Sequence, residues 1–531
     1  MNNYKACILA AGVGNRMGPV TDNINKALLP INFKATISRI IEKFDKNIEI
    51  VIALGHKGNT VRDYLALAHG DRKFTFVEVD NYIGPGTGPG YSLLKCKEKL
   101  QCPFVLFAVD TLVIEDIPEP YENWFGTAPV KETEKYCTVK IKNNLIYELN
   151  DKIKCDNKFA FIGLAGIKDY DIFFNALEKN SELIGGEIQV SNGFNSLIEQ
   201  RLVPKSFTWF DAGTMESYIE TNKSFSGGKS FDFSKGNEFL YFVEDKVIKY
   251  FANEDIVKKR YLRAKILGNL CPEIISVMGN FYSYKKIEGK VVYDSLDKQT
   301  TKDFLYWAQS NLWKDVKLDG QKKIEFKIAC EKLYRDKTMD RLDLFYKKTG
   351  IVDGENKING ANIPTLSEML KCIDWDDLTN GVSSGFHGDL QFDNVIVSID
   401  PLSNLRKFKL IDWRHELGGL IEYGDRYYDL SKLYGGLTIS YKLIKEGNFT
   451  FDMSGSNVYY NFIVGNDLIE AREEFELFVK EKGYNLSKIK LIRALIFLNM
   501  SPLHHEPFDL MLYFFGKMKL YYALKEMGRI K

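Results

Sequence analysis

The sequence lacks the features that mark membrane-spanning, secreted and nucleic-acid-binding proteins. Its 531 residues carry a net charge of +1 with no long run of lysine or arginine, which excludes a basic footprint for nucleic acid. No apolar stretch approaches the ~18 residues that a membrane-spanning helix needs. The N-terminus also lacks the basic start of a signal peptide. We therefore expect a cytoplasmic protein without membrane insertion.

Disulfide and zinc patterns are missing as well. The eight cysteines are scattered with no C-x-x-C pair, and the six histidines show no metal-ligand spacing. Hydrophobic residues make up 45% and charged residues 27%, which is an ordinary globular composition. At roughly 150 residues per domain, the length predicts two to four domains.

The two halves of the chain have different patterns. Short apolar runs alternate with helical spacing up to about residue 225, and the clearest strands are predicted at 6–10, 48–54, 74–79 and 104–109. This alternation predicts βαβ units and a mainly parallel sheet. Small polar residues at 226–231 form the best linker. A predicted hairpin around 239–250 and further short strands follow, and from about residue 300 the pattern is dominantly helical.

A glycine-containing loop follows the first predicted strand. Its residues are Leu9, Ala10, Ala11, Gly12, Val13 and Gly14. Glycines at this place let the backbone approach a ligand, and the exposed N–H groups suit phosphate oxygens. Taken alone, the glycines also fit a structural strand-to-helix turn. Arg16 and Lys26 follow, and two cations beside such a loop suit a nucleoside triphosphate better than a dinucleotide.

With these neighbours, the segment resembles the signature of the sugar-nucleotidyltransferase family, which includes phosphocholine cytidylyltransferases. One departure is Asn25, which stands where the family has proline before the lysine. The resemblance covers about 220 residues and implies roles for further residues: Asp110 and Asp211 as Mg²⁺ ligands, Lys152 and Glu187 as acceptor contacts, and Gly86 and Gly88 in the loop that recognises the base. A plain surface turn is the alternative for the Gly86–Gly88 segment.

The implied chemistry needs no covalent enzyme intermediate. The phosphate oxygen of an acceptor attacks the α-phosphorus of an NTP in line, and pyrophosphate leaves. Positioning and charge neutralisation are sufficient for this step.

A second polar cluster lies in the other half of the chain. Asp389 is followed by Asn394 and, after a predicted strand, by Asp412. A carboxylate that orients a hydroxyl, with an Asn and a second Asp to hold Mg²⁺ on ATP, is the layout of a phosphotransfer site. The cluster resembles the aminoglycoside phosphotransferase and choline kinase family. That resemblance implies ATP contacts at Lys249 and in the hinge segment with Glu288; the helix after Lys249 offers no clear glutamate partner, and Glu254 is the nearest.

We therefore predict an α/β protein with two domains. A mainly parallel, doubly wound, Rossmann-like sheet (1–225) is followed by a protein-kinase-like two-lobed α+β domain (232–531), with a small lobe to about 290. The predicted function is bifunctional: a small-molecule hydroxyl is phosphorylated with ATP, and a nucleotidyl group, with CTP favoured as donor, is then joined to the phosphate. Both steps use Mg²⁺, and the product would serve surface polysaccharide or lipid decoration.

Three questions stay open at this point. The acceptor is an alcohol, a polyol, a choline-like compound or a sugar, and a sugar would suit UTP, GTP or dTTP. A regulatory protein with an inactive kinase half is the alternative of another class. The oligomeric state, including a homo-oligomer, is also open.

Overall fold

The computed structural model describes residues 4–180, 182–227 and 236–530, so most of the predicted linker at 226–231 lies outside the described residues. The chain forms two compact units. The first contains residues 1–254 and 276–283, and the second contains residues 255–275 and 284–531. All eight cysteines are among the described residues, and none of them forms a disulfide.

The first unit is built on strands with six helices around them. Its helices are α1 (Thr36–Ile41), α2 (Gly58–Ala68), α3 (Pro89–Lys95), α4 (Tyr170–Lys179), α5 (Ser191–Ile198) and α6 (Met215–Phe225). Its strands are β1 (Lys5–Ala10), β2 (Pro30–Ile31), β3 (Lys34–Ala35), β4 (Ile50–Leu54), β5 (Phe74–Glu78), β6 (Phe104–Ala108), β7 (Thr111–Val113), β8 (Trp124–Pro129), β9 (Cys137–Lys142), β10 (Leu145–Asp151), β11 (Phe159–Ile167), β12 (Leu183–Ile184), β13 (Glu187–Ile188), β14 (Val203–Ser206), β15 (Trp209–Asp211), β16 (Glu238–Val243) and β17 (Lys246–Phe251).

The main sheet is mixed, which corrects the prediction of a mainly parallel one. Its order is β10-β9-β11-β6-β1-β4-β5, with β8 beside β11 and β14 beside β8. The four predicted strands are present as β1, β4, β5 and β6 and pair in parallel. Strand β11 then runs antiparallel to β6, β8 and β9. The central strands were predictable because they are buried on both faces and therefore read as continuous apolar runs.

Both faces of the sheet are covered by apolar residues. Alternate residues of β1 point to opposite faces, so Ile8 packs into one core and Cys7 into the other. The first core also contains residues from the hairpin β16–β17, namely Phe239, Tyr241, Val243, Ile248 and Tyr250.

The packing of this hairpin differs from the domain limits expected from the sequence. Tyr241 is fully buried, lies 4.9 Å from the Tyr64 ring and donates to the Leu28 carbonyl at 2.9 Å. The hairpin predicted as the start of the kinase-like domain thus completes the core of the first unit. The domain limits predicted from the sequence stay a prediction, because packing shows only which residues form a compact unit.

The remaining elements lie in the second unit or extend into it. The helices are α7 (Glu254–Leu267), α8 (Lys298–Asn311), α9 (Gly320–Glu331), α10 (Lys337–Thr349), α11 (Leu366–Lys371), α12 (Trp375–Thr379), α13 (Arg426–Gly436), α14 (Tyr441–Lys445), α15 (Asn466–Glu481), α16 (Leu486–Met500) and α17 (Phe508–Glu526). The strands are β18 (Ile274–Met278), β19 (Phe281–Lys285), β20 (Lys290–Val291), β21 (Asn356–Ile358), β22 (Ala361–Ile363), β23 (Ser383–Ser384), β24 (Val395–Ile399), β25 (Arg406–Leu410), β26 (Gly424–Asp425), β27 (Phe449–Ser454) and β28 (Asn457–Phe462).

The second unit is dominated by helices, as the sequence pattern predicts. Helix α16 is buried along most of its length and packs against α13 and α17, which is typical of a central core helix. Strands β24 and β25 form a hairpin with β20 beside it, and this hairpin carries the second polar cluster at its ends. Within the described part of the chain, no helix combines the length and the apolar character needed to cross a membrane.

Candidate active sites

The chain leaves strand β1 through a loop with exposed backbone. After Ala10 the residues form 3₁₀ turns over Asn15–Thr21 in place of the expected α-helix. Gly14 has a φ of 76°, a left-handed conformation that favours glycine, and a Cβ there would meet the Thr21 side chain at 3.3 Å. Arg16 lies exposed on the same turns. Contact of Leu9, Ala10, Ala11, Gly12 and Gly14 with a nucleotide stays a prediction.

Asn25 fixes the turn that carries Lys26. Its amide nitrogen donates to the carbonyl oxygens of Ala10 at 2.9 Å and His56 at 2.6 Å. Its amide oxygen accepts from the N–H of Ala27 at 2.8 Å and so caps the turn. The departure from proline therefore provides a buried anchor between the lysine turn and the end of β1. The preference of asparagine for helix N-caps was the signal in the sequence that could have revealed this role.

Lys26 contacts both of the segments that carry the predicted Mg²⁺ ligands Asp110 and Asp211. Its Nζ lies 2.9 Å from Asp110 Oδ2 and donates to the Gly213 carbonyl at 3.3 Å. The lysine side chain is 10% exposed and that of Asp110 is 30% exposed. Burial alone would raise the pKa of Asp110, but the positive charges of Lys26 and Arg16 outweigh it and lower the pKa. The carboxylate is therefore charged at neutral pH.

Asp211 lies beside Asp110 because strands β7 and β15 pair. Asp211 is opposite Thr111 in this antiparallel pair, and the N–H of Ala212 donates to the Asp110 carbonyl at 2.9 Å. Burial and the charge of Asp110 raise the pKa of Asp211, although the Gly213 N–H, 2.8 Å from its Oδ1, opposes that shift. Two carboxylates are thus held near each other with a lysine between their segments.

This donor set fits magnesium. Mg²⁺ prefers carboxylate oxygens, commonly takes one or two of them from the protein and fills its other positions with water and phosphate oxygens. Asp110 and Asp211 supply two carboxylates, and among the described residues no group of three or more His, Cys, Asp or Glu side chains could hold a metal. Burial and repulsion from Asp110 raise the pKa of Asp211, and a cation bound between the two carboxylates would relieve that repulsion.

The predicted base-recognition loop and the predicted acceptor segment contact each other. The Gly86 N–H donates to the Gly186 carbonyl at 2.9 Å. Gly88 has a φ of 111°, and a Cβ on it would lie 2.8 Å from the Glu187 side chain. Lys152 Nζ lies 3.8 Å from Glu187 Oε2. The structure therefore brings these residues together, whereas their contacts with the base and the acceptor stay predictions.

An aromatic pair borders the same site and was missed by the sequence analysis. The rings of Tyr136 and Trp209 meet edge to face with centroids 5.6 Å apart. Trp209 precedes Asp211 on β15, and burial together with the charge of Asp211 raises the pKa of Tyr136. No motif pointed to Tyr136, because a tyrosine at the start of a strand is ordinary in any sheet.

In the second unit, His387 and Asp429 fix the backbone that carries Asp389. His387 Nε2 donates to the Ile411 carbonyl at 2.9 Å, and its Nδ1 accepts from the Asp389 N–H at 3.2 Å. Burial lowers the pKa of His387 to about 4, so the ring is neutral at neutral pH. Asp429 accepts from the N–H groups of His387 and Gly388, both at 2.7 Å. Asp425 is the N-cap of α13, whereas Asp429 in the first turn of that helix anchors this loop.

Asp389 is paired with a lysine that no motif identified. Lys432 Nζ on α13 lies 2.7 Å from Asp389 Oδ1. Burial would raise the pKa of Asp389, yet Lys432 and Arg414 outweigh burial and lower it to about 2. Gly388 has a φ of 87°, and a Cβ there would lie 2.6 Å from the Arg414 side chain, so only glycine permits this close approach.

Asn394 and Asp412 lie next to each other at the ends of the β24–β25 hairpin. Val395 pairs with Leu410, and the Ile411 N–H donates to the Asn394 carbonyl at 2.9 Å. The Asn394 amide nitrogen donates to the Asp389 carbonyl at 2.8 Å, which leaves its amide oxygen as the atom suited to a cation. An amide oxygen beside a carboxylate is a donor set that fits Mg²⁺.

Helix α7 places Arg260 beside Asp412, the carboxylate predicted to bind Mg²⁺. Arg260 Nη1 lies 2.8 Å from Asp412 Oδ1, and the Trp413 indole N–H donates to the Arg260 carbonyl at 3.0 Å.

Lys249 belongs to the first unit, where it is 8% exposed on the face of β17 opposite Ile248 and Tyr250. Glu288 is exposed in the second unit. Nucleotide contacts by Lys249 and Glu288 stay predictions.

The glycine loop, Lys26 and the two aspartates lie where the sequence predicts a nucleotidyl-transfer site. Residues 6–116 match the family model of the MobA-like NTP transferase domain. The N-terminal region of the chain is therefore a nucleotidyltransferase domain of the MobA-like NTP transferase type, and its relatives include sugar nucleotidyltransferases.

Two curated relatives and one solved structure are similar to this region. The bifunctional protein GlmU of Methanococcus vannielii is 27% identical over 232 residues, covering 41% of this chain and 54% of the relative. The choline-phosphate cytidylyltransferase of Streptococcus pneumoniae is 39% identical over 106 residues, covering 20% and 44%. A UDP-glucose pyrophosphorylase complexed with UDP-glucose is 20% identical with a TM-score of 0.37, covering 42% and 99%. The chain spans about half the length of the GlmU relatives that it matches.

Proposed function

We propose that the chain is a bifunctional enzyme in which the second unit phosphorylates a small hydroxyl compound with ATP and the first unit joins that phosphate to a nucleotide. The observation that supports the proposal is that each unit brings together carboxylate or amide oxygens of the kind that Mg²⁺ prefers, near a lysine. These are Asp110 and Asp211 with Lys26 in the first unit, and Asn394 and Asp412 near the Lys432–Asp389 pair in the second.

In the first unit, Arg16 and Lys26 would bind the triphosphate of the nucleotide. The backbone N–H groups of the Gly12–Gly14 loop would contact the same triphosphate. Mg²⁺ bound to Asp110 and Asp211 would supply charge neutralisation at the α-phosphate. Lys26 would exchange its bond to Asp110 for a phosphate oxygen when the nucleotide enters, because both partners are anions within reach of one ammonium group. Lys152 and Glu187 would position the acceptor phosphate for in-line attack.

In the second unit, the loop fixed by His387 and Asp429 would hold Asp389 against the hydroxyl of the acceptor. A carboxylate with a pKa of about 2 is a weak base, so its main effect is to orient the hydroxyl. The hydroxyl oxygen attacks the γ-phosphorus, and ADP leaves. Asn394 and Asp412 would hold Mg²⁺ on the ATP phosphates.

We propose CTP as the nucleotide donor. Support comes from the 39% identity over 106 residues with a protein named for cytidylyl transfer to choline phosphate. The activated product would serve surface polysaccharide or lipid decoration. A sugar kinase joined to a sugar-1-phosphate nucleotidylyltransferase that uses UTP, GTP or dTTP is the alternative, and the choice of nucleotide in the assay below decides between them.

The test separates the two activities. Small alcohols and free sugars are offered to the full chain with ATP and Mg²⁺, and each compound that yields ADP is then tested with CTP, UTP, GTP and dTTP for pyrophosphate release. We expect Asp389→Asn to abolish ADP formation and Asp110→Asn to abolish pyrophosphate release. If only ready-made phosphate monoesters react, the kinase half of the proposal is wrong, and if no NTP yields pyrophosphate, the nucleotidyl-transfer half is wrong.

A further inference from the structure

Two cationic side chains, Lys432 and Arg414, lie close to the single negative charge of Asp389. Lys432 already pairs with Asp389 at 2.7 Å. Arg414 lies close enough to Asp389 to lower its pKa further, and its Nη1 donates to the Tyr428 hydroxyl at 2.9 Å. A single carboxylate with one bonded lysine is neutralised, so Arg414 adds an excess positive charge.

Helix α10 brings two more cations close to Arg414. Lys337 and Arg341 are one turn apart and therefore lie on one face of the helix. Lys337 interacts electrostatically with Tyr428, Arg414 and Lys432, and Arg341 interacts with Arg414. Both side chains are half-buried, and within the described residues neither forms an ion pair within 4 Å or a hydrogen bond through its side chain.

The start of α10 is held by an irregular helical turn. Residues Lys332–Asp336 form a π-helical turn directly before Lys337, and such turns are frequent at functional sites. Tyr334 in this turn donates to Asp425 Oδ2 at 2.7 Å, and its ring lies 6.3 Å from that of Tyr428. These contacts fix the beginning of α10 against α13, the helix that carries Tyr428 and Lys432.

The charges in this cluster do not balance. Four cationic groups, Lys337, Arg341, Arg414 and Lys432, interact with one another, and the carboxylates that face them are Asp389, beside Lys432 and Arg414, and Asp340, beside Arg341. The charges of Arg414, Lys337 and Lys432 overcome burial and lower the pKa of Tyr428. Like charges gathered in a partly desolvated site are unfavourable unless an anion joins them. A cationic acceptor such as choline would be repelled here.

We propose that the hydroxyl compound phosphorylated by the second unit is itself an anion, with a carboxylate or phosphate group bound by Lys337 and Arg341 beside Asp389. This proposal rests on the kinase activity proposed above. A bond forms between the hydroxyl oxygen and the γ-phosphorus of ATP, the bond from that phosphorus to the β,γ-bridging oxygen breaks, ADP leaves, and the hydroxyl proton is released to water while Asp389 orients the hydroxyl. The acidic group of the acceptor is unchanged.

Four small alcohols that differ in charge test the proposal with the full chain, ATP and Mg²⁺. These are glycerate, glycerol phosphate, glycerol and choline, and ADP release is measured for each. We expect kcat/KM for one of the two acids to exceed that for glycerol and choline by at least about tenfold, the effect of one charged hydrogen bond. The two acids distinguish a carboxylate from a phosphate as the bound group.

Variants on α10 separate the acceptor from ATP. Lys337→Gln and Arg341→Gln should raise KM for the acidic acceptor about tenfold or more each while KM for ATP stays unchanged. Lys347→Gln is the matched control, because Lys347 is exposed on the same helix. Equal use of choline or glycerol would overturn the proposal, and so would a rise in KM for ATP in place of the acceptor.

Binding measurements keep this proposal distinct from the kinase proposal. Calorimetry with glycerate and glycerol phosphate is performed without ATP on the parent chain and on the double variant. If no alcohol yields ADP but an acid binds the parent chain and not the double variant, the kinase proposal fails and the anion site stands. If neither acid binds the parent chain and neither yields ADP, the anion site is rejected.

Discussion

Single residues in the first unit show how charge and burial are balanced around a reactive group. Lys26 is bound to Asp110 and to the Gly213 carbonyl, so one ammonium group joins both aspartate-bearing segments. Because a partly buried carboxylate without a partner is unfavourable, Lys26 stabilises the charged form of Asp110. It also supplies a positive charge to an entering triphosphate.

Replacing Lys26 tests this double role. In Lys26→Gln we expect kcat/KM for pyrophosphate release to fall about a hundredfold, because one preorganised positive charge at the transferring phosphate is lost. ADP formation from ATP should not change. Lys46→Gln is the control, since Lys46 is a 65% exposed lysine of the same unit. A variant with the full rate of pyrophosphate release would show that Lys26 does not bind the triphosphate.

His69 gives the first unit a predictable response to acid. Its Nε2 is 2.8 Å from Ser38 Oγ, and burial lowers its pKa from 6.5 to about 4. Between these values the unfolded chain binds a proton that the folded chain does not. The stabilisation is therefore complete above pH 6.5 and is lost as the pH falls toward 4.

Replacing His69 with Gln removes this dependence. We expect the difference in the free energy of unfolding between the parent chain and His69→Gln to be about 2 kcal/mol smaller at pH 5 than at pH 7. Urea unfolding at the two pH values, monitored on pyrophosphate-releasing activity, measures this difference. A pH-independent difference would contradict a buried, neutral His69.

At the scale of elements, the predictable parts of the fold are those with strong local patterns. Strands β1, β4 and β6 are buried on both faces, so their apolar runs stand out in the sequence, and β5 at the sheet edge is only partly buried but carries a similar run. The antiparallel strands, such as β9 and β10, are half-exposed and carry mixed residues, and their pairing depends on contacts that are distant along the chain.

The sites follow the same division. Gly14, Lys26 and Asp389 belong to local motifs and could be located from the sequence. Asn25 could also have been suspected from its capping preference, whereas Lys432 lies on a helix that only the folded chain brings to Asp389.

The hairpin β16–β17 is the element whose place the sequence did not reveal. Its alternation was read correctly as two strands, but alternation does not say which core they join. Tyr241→Ala should destabilise the first unit by about 3–5 kcal/mol, because the side chain is fully buried against Tyr64.

A conservative change separates packing from hydrogen bonding at this position. Tyr241→Phe keeps the ring and loses only the bond to the Leu28 carbonyl, so it should cost about 1 kcal/mol. Thermal and urea unfolding of both variants, followed by pyrophosphate release, provide the measurement. If Tyr241→Ala unfolds like the parent chain, the hairpin is not part of the nucleotidyltransferase core.

At the scale of the whole molecule, the chain combines a nucleotidyltransferase domain with a second, helical unit, for which we propose kinase activity. The product of the proposed kinase reaction is the phosphate monoester that nucleotidyl transfer consumes. Two such steps in one chain would convert a free alcohol into an activated nucleotide derivative without an external kinase.

The most direct test of this account is a ³¹P NMR time course of a single reaction that contains the chain, Mg²⁺, ATP, CTP and an acceptor found in the alcohol and sugar screen. The account predicts that the phosphate monoester appears first and is then converted into a diphosphate-linked product with pyrophosphate. Asp110→Asn should stop at the monoester, and Asp389→Asn should form product only when the monoester is added. A product that forms in Asp389→Asn from the free acceptor, or a monoester that never forms with the parent chain, would contradict the two-step account.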